Sequence, residues 1–472
     1  MLRTVVAVAS LLVASSGAPA QTATPQTPAE TGEVLALLGA TLHAGDASEP
    51  LVGAVVLVQQ GKITAIAPPA SIDIPAGARR IDLAGKHLTP GLIDTHVHYS
   101  QTGWVDGRPD ATDLRAEFPY ETAMAESRLH PERLHRAFLH AGVTAVFDVG
   151  GYPWTLALQQ ATEADVLAPH VVATGPLLAT WDPGLSLPDA RQFLFPQTAE
   201  EGRTLVAAHA KAGSAAIKFW YIPRGSGDVA RWSPVLAAIG AQCRESGLPL
   251  VVHATSLAAA KDAVAAGASL LVHSVEEAVV DDDFLAAMKA GGTSYCPTLT
   301  VRAGYAAIYA AEVPEDVRRH LDDVHPTVKD RVLRTTKLPP RNARVLAGMS
   351  ERMKLQGNIM AQNVRKLRDA GVPIVLGTDA GNPLTLHGPS VFTEMRAMVE
   401  AGMTPREVLV AATSAAARAI GRGRDLGLLA TGRIADLLVL DRDPERDVDA
   451  FRGLTHVMRG GELHERRATL PR

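Results

Sequence analysis

The chain has 472 residues, too long for one compact domain and suited to a large domain with a smaller one. Hydrophobic residues make up 47% of it, enough for a sizeable core, and 46 basic against 50 acidic residues leave a formal charge of -4. With no basic patch or charge run, nucleic acid and anionic membrane are poor candidates as partners.

Residues 1–20 read as a secretory signal peptide. Arg3 gives a positive start, Val5 to Val13 form an apolar run too short to span a bilayer, and Ala18-Pro-Ala20 is an A-x-A cleavage pattern. No Cys follows it, so a lipid anchor is not expected. The periplasm is the expected location, with secretion as the alternative. Residues 21–33, rich in Thr, Pro, Ala and Gln, have the composition of a linker. The chain's two cysteines, Cys243 and Cys296, are expected to be buried free thiols, and neither has metal-ligand spacing.

From 34 to 88 the pattern is short strands and turns, such as Ala54 to Val58, the turn at Gln60-Gly-Lys62, then Ile63 to Ile66. The segment 426–472 is similar, with Ala435 to Leu440, Leu454 to Arg459 and a Gly460-Gly461 turn. The two ends are expected to complete one small β-sandwich.

Between them, residues 89–425 alternate apolar strand runs with helical stretches. The expected strands are Gly91–His98, Thr144–Val149, His170–Thr174, Ala216–Trp220, Leu250–His253, Leu270–His273, Thr293–Pro297 and Pro373–Gly377. Eight strand–helix units predict an α/β fold with a closed (β/α)8 TIM barrel. Three connections are long, at 99–130, 179–197 and 299–360, and long loops commonly cover or shape a binding site.

The chemistry gathers at strand ends. His96 and His98 are two apart on a strand, so both side chains point the same way, roughly 6–7 Å apart along the backbone. Lys218 interrupts an otherwise apolar strand, and buried lysines are rare unless paired. His253 and His273 end their strands, and Asp379 follows Ile374-Val-Leu-Gly-Thr378. Any one of these could be a core residue satisfied by hydrogen bonds. Strand C-termini of such a barrel meet at one mouth, where active sites lie, so together they form a candidate site.

These segments resemble the amidohydrolase superfamily, in particular the branch of imidazolonepropionase-like proteins, bacterial Xaa-Pro dipeptidases and ochratoxinase-type amidases. The likeness is carried by Leu88-Thr-Pro-Gly-Leu-Ile-Asp-Thr-His-Val-His98, Ala141-Gly-Val-Thr-Ala-Val-Phe-Asp-Val-Gly150, Ile217-Lys218, Val252-His253-Ala254, Val272-His273-Ser274 and Gly377-Thr-Asp-Ala380. Thr404 to Thr413 and Gly432 to Asp441 extend it, so that it runs from about Val34 to His464. The resemblance implies two divalent metal ions, zinc by first choice, with Mn or Co also open. It implies that His96, His98 and Asp379 hold one metal and that His253 and His273 hold the other. Lys218, N-carboxylated by CO2, would bridge them, which neutralises the buried lysine. Asp379 would also act as general base when a metal-activated hydroxide attacks a carbonyl.

Three residues are candidate substrate contacts: Tyr221 and His387 as oxyanion donors, and Arg302 for a substrate carboxylate, with Arg224 as second choice. Each could equally pack on the rim or face solvent. Asp148 is expected to structure the mouth. The implied activity is cleavage of an amide or peptide C–N bond in a small molecule, as in an Xaa-Pro dipeptidase or N-acyl-amino-acid amidase. The alternatives are a cyclic amide or lactone hydrolase on the same metals, and a periplasmic binding protein without turnover. A mononuclear deaminase would leave Lys218 without a purpose. Oligomeric state does not follow from the sequence.

Overall fold

The structure, a computed structural model, describes residues 32–472. The expected signal peptide and nearly all of the expected linker therefore lie outside the described residues.

Strands from 35–90 and from 437–465 join in one eight-stranded sheet, where the sequence pattern predicts a β-sandwich. The N-terminal part supplies β1 (Leu35–Leu42), β2 (Leu51–Gln59), β3 (Lys62–Ala67), β4 (Arg79–Asp82) and β5 (His87–Pro90). The strands β6 to β14 belong to the middle of the chain. The C-terminal part adds β15 (Leu437–Leu440), β16 (Leu454–Arg459) and β17 (Glu462–Glu465). The order is β17-β16-β15-β5-β1-β2-β3, with β4 beside β1, so the two ends meet at the antiparallel β5–β15 pair. Gln60 and Gly61 turn β2 into β3 with φ of 50° and 75°, the left-handed pair of a tight hairpin.

The middle holds parallel strands: β6 (Leu92–Val97), β7 (Val143–Asp148) and β8 (His170–Ala173) in one sheet, and β9 (Leu177–Ala179), β10 (Phe193–Leu194), β11 (Ile217–Trp220), β12 (Leu250–His253), β13 (Leu270–Val272) and β14 (Ser294–Cys296) in another. Nearly every residue of β6, β7, β8 and β11 to β14 is buried. That is why these strands read as continuous apolar runs instead of alternating ones. The expected strand Pro373–Gly377 is not a regular strand. It joins its neighbours through single bridges, Tyr295 with Ile374 and Val97 with Ala380. Further backbone bonds run from Ala215 N to Ala173 O at 2.9 Å, Thr95 N to Leu376 O at 3.0 Å and Tyr295 N to Pro373 O at 2.8 Å.

Helices return the chain from strand to strand. Ala199–Ala212 starts at the N-cap Thr198, whose side chain accepts from Glu201 N, and stops at Gly213 with φ 82°. Ser226–Ser246 stops the same way at Gly247. The long connections are more helical than expected. Residues 299–360 contain Val301–Ala310, Glu315–Arg318, Pro326–Leu333 and most of Ala343–Asp369. Apolar residues of the first three pack on Trp104, Val105, Leu384 and Leu386, not on a strand. Their rhythm therefore breaks the strand–helix alternation that makes the rest legible.

Candidate metal centre

The six strand-end residues converge on one cavity of about 510 Å³. His96 lies in β6 and His98 just past it, Lys218 in β11, His253 at the end of β12, and His273 just past β13. Asp379 follows the irregular eighth run. Both His273 and Asp379 have positive φ, 72° and 64°. Such backbone is costly for residues with a Cβ and clusters at functional sites. Gly377 permits the close approach of this run: a Cβ there would stand 2.4 Å from Cys296 Sγ and 2.9 Å from His96 Cβ.

Asp379 Oδ1 is 3.0 Å from His98 Nε2 and 3.2 Å from His96 Nε2, and its Oδ2 is 3.9 Å from His273 Nε2. Lys218 Nζ stands 3.5 Å from His96 Nε2. The His253 and His273 rings lie 4.2 Å apart by centroid. Among the described residues, ligand atoms of His96, His273 and Asp379 all fall within 4.8 Å of one another.

The hydrogen bonds test whether this set fits a cation. His98 Nδ1 is 2.7 Å from the carbonyl of Gly150, which can only accept, so Nδ1 carries a proton and, in the neutral imidazole that binds metal, Nε2 has a lone pair. That lone pair faces the carboxylate oxygen Asp379 Oδ1, which is buried without a hydrogen-bond partner. Two electron-rich atoms at 3.0 Å repel unless a positive charge stands between or beside them. Burial holds the His96, His253 and His273 imidazoles well below the usual histidine range, and it brings Lys218 down to about 8. Neutral imidazoles are the form that binds metal, so the residues fit divalent cations.

A surrounding layer orients them. Asp94 accepts from His96 N at 3.2 Å, Thr378 N at 3.0 Å and Thr378 Oγ1 at 2.6 Å, and burial raises its carboxyl to about 7. Asp94 stands in the first-strand motif, where nothing in the sequence marks its role. Asp148 accepts from Gly150 N at 3.2 Å and so orders the turn whose carbonyl holds His98.

The other candidates divide. Arg302 lines the cavity, where its Nε donates to Glu276 Oε1 at 2.6 Å. Tyr221 does not line it. Its hydroxyl donates to Asp262 Oδ2 at 2.7 Å, and its ring stacks on Phe219, because along β11 the cavity takes Lys218 and Trp220 while Phe219 and Tyr221 face the other way. His387 is also outside the lining, buried with Nε2 2.9 Å from the carbonyl of His98, so it buttresses a site residue. Arg224 instead lies over the Trp181 ring at 5.8 Å. The lining that sequence reasoning missed includes Gln101, Arg108, Trp220, Glu276, Tyr305 and Asn382. Arg108 forks Asp110 with two bonds of 2.9 Å and also donates to Asn382.

Comparison with known proteins agrees with this geometry. Residues 87–463 match the model of the amidohydrolase family. The chain is 29% identical over 420 residues to an imidazolonepropionase of Chromobacterium violaceum, covering 83% of this chain and 86% of that one. It is 25% identical to an ochratoxinase of Aspergillus niger, covering 92% and 87%. A solved Xaa-Pro dipeptidase with methionine in its active site shares the fold with a TM-score of 0.69 at 22% identity, covering 92% of this chain and 100% of that one. The family model spans most of the chain, including the β5–β15 pair and every strand-end residue of the cavity: the chain belongs to the amidohydrolase family.

Proposed function

We propose that the chain is a binuclear metal-dependent hydrolase that cleaves an amide or peptide C–N bond in a small substrate. One observation carries this reading: the bare Nε2 of His98 faces the unpartnered Oδ1 of Asp379 at 3.0 Å, inside a cavity shared with three more imidazoles and Lys218. His96, His98 and Asp379 would hold one cation, and His253 and His273 the other. Lys218, carboxylated by CO2, would stand between them, since burial leaves its amine readily neutral for that addition. When bound, the cations supply Lewis acidity and an acidified water. Asp379 takes the proton of the attacking water and hands it to the leaving amine. The cavity walls exclude bulk water and strengthen each electrostatic contact.

The frame proposed for this site is a (β/α)8 barrel over residues 89–425, with a β-sandwich from 34–88 and 426–472. It is supported by the backbone bonds that join β8 to the start of β11 and set the run 373–380 between β14 and β6. Arg302 and Arg108 in the lining favour a substrate with a free carboxylate, as in a dipeptide or N-acyl amino acid. The likeness to an imidazolonepropionase keeps a cyclic amide or a lactone as the second reading. Export to the periplasm rests on the pattern of residues 1–20 and is tested by the mass of the mature N-terminus.

Metal analysis and a substrate panel test the main reading. The purified protein should hold two cations in this cavity and hydrolyse members of a dipeptide and N-acyl amino acid panel supplied with zinc and bicarbonate. Lys218→Ala should lose both properties. Full activity in Lys218→Ala overturns the binuclear assignment, and no turnover of any panel member or related lactone favours a binding protein.

A further inference from the structure

A second cluster of ligand-type side chains lies in the eight-stranded sheet, outside the cavity lining. We propose that His43, His87 and Asp443 form a site for one divalent transition-metal ion, independent of the hydrolytic centre. Their ligand atoms all lie within 4.8 Å of one another. The register places them there. His87 opens β5, opposite Thr41 on β1 and Leu440 on β15, so the chain leaving β1 at His43 and the loop leaving β15 at Asp443 meet over it.

Hydrogen bonding aims these atoms. His43 is 1% exposed, and its Nδ1 is 2.9 Å from Glu445 Oε1. Glu445 is held in turn by Arg406, whose Nε donates to Oε2 at 2.5 Å. An ionised carboxylate only accepts, so His43 carries its proton on Nδ1 and a lone pair on Nε2. A carboxylate behind one imidazole nitrogen, with the other nitrogen free, is how metal-binding histidines are oriented. That Nε2 lies 3.0 Å from His87 Nδ1, whose hydrogen bond it accepts, and 3.8 Å from Asp443 Oδ1. Arg446 takes the other oxygen, Asp443 Oδ2, at 3.3 Å and leaves Oδ1 facing the histidines.

Without metal, His87 Nδ1 donates its proton to His43 Nε2. Metal binding moves that proton to His87 Nε2, the other tautomer of the neutral imidazole, so both facing nitrogens become ligands with no net proton released. Two imidazoles and one carboxylate suit zinc or copper, with water in the remaining position on the partly exposed side of His87 and Asp443.

The test uses the full-length protein with Zn2+ as the probe. Wild type, His87→Asn and Lys218→Ala are each equilibrated with free zinc and their bound metal counted. His87→Asn should hold about one equivalent less than wild type with hydrolysis unchanged. Lys218→Ala should lose cavity metal and keep this ion, which separates failure here from failure of the binuclear reading. Cu2+ added to Lys218→Ala should give an electron paramagnetic resonance spectrum with two nitrogen ligands, reduced by His87→Asn. If circular dichroism shows His87→Asn to be unfolded, Asp443→Asn takes its place. Equal zinc content in wild type and the folded variant overturns the site and leaves His43 and His87 as a hydrogen-bonded pair only.

Discussion

The backbone N–H of Asp379 donates to the carbonyl of His96 at 2.8 Å, so the carboxylate and the first imidazole are set against each other by main chain as well as by side chain. Asp379→Asn keeps this bond and the shape of the residue but removes the proposed base. Turnover should fall roughly 100- to 10,000-fold, the usual contribution of a positioned general base. Steady-state kinetics alongside circular dichroism checks this, and a fall under tenfold in folded protein would remove Asp379 as the base.

Chelation should lower the melting temperature, because the proposed cations would bind only the folded arrangement of strand ends. A ligand at 100 times its dissociation constant adds about 2.7 kcal/mol. Zinc should restore the loss. The shift should be much smaller in Lys218→Ala, and an equal shift there would place the stabilising metal outside the cavity.

Arg302→Met tests the substrate class. If Arg302 leaves Glu276 to bind a substrate carboxylate, the lost charged hydrogen bond, about 1.5–3 kcal/mol, raises KM roughly 10- to 100-fold with kcat little changed. Neutral amides should be unaffected. An equal effect on both substrate types assigns Arg302 to holding Glu276 in place.

His135 gives a pH prediction away from the metal ligands. It is buried, its Nε2 has no partner, and burial pushes its pKa from 6.5 down to about 4. The unfolded chain therefore binds a proton between those values that the folded chain refuses. Its stability contribution is fully present above about pH 6.5 and is lost as pH falls toward 4, a difference on the order of 3 kcal/mol. His135→Gln should flatten the denaturation midpoint over that window. An unchanged slope would show that another group sets it.

What the sequence reveals follows from the kind of signal each residue leaves. Lys218, His253 and His273 stand out because each interrupts or ends an apolar run, and a buried strand tolerates such residues only for a reason. Tyr221 misleads because closeness in sequence hides the two-residue alternation that separates it from Lys218. Asp94 and His387 act on neighbours of the site through hydrogen bonds that no spacing encodes. Arg108, Tyr305 and Asn382 meet only because helices and turns between strands fold back over the mouth. His43, His87 and Asp443 lie far apart in the chain, and only the sheet register unites them.

That register also governs how the molecule must be made. The partner of β5 is β15, which begins at Leu437, near the far end of the chain. At roughly 5–20 residues per second, synthesis leaves β5 with one flank unpaired for tens of seconds. An open strand edge is a template for wrong pairing. A nascent chain of this protein therefore exposes that flank until β15 emerges, and a truncation before Leu437 would leave it open.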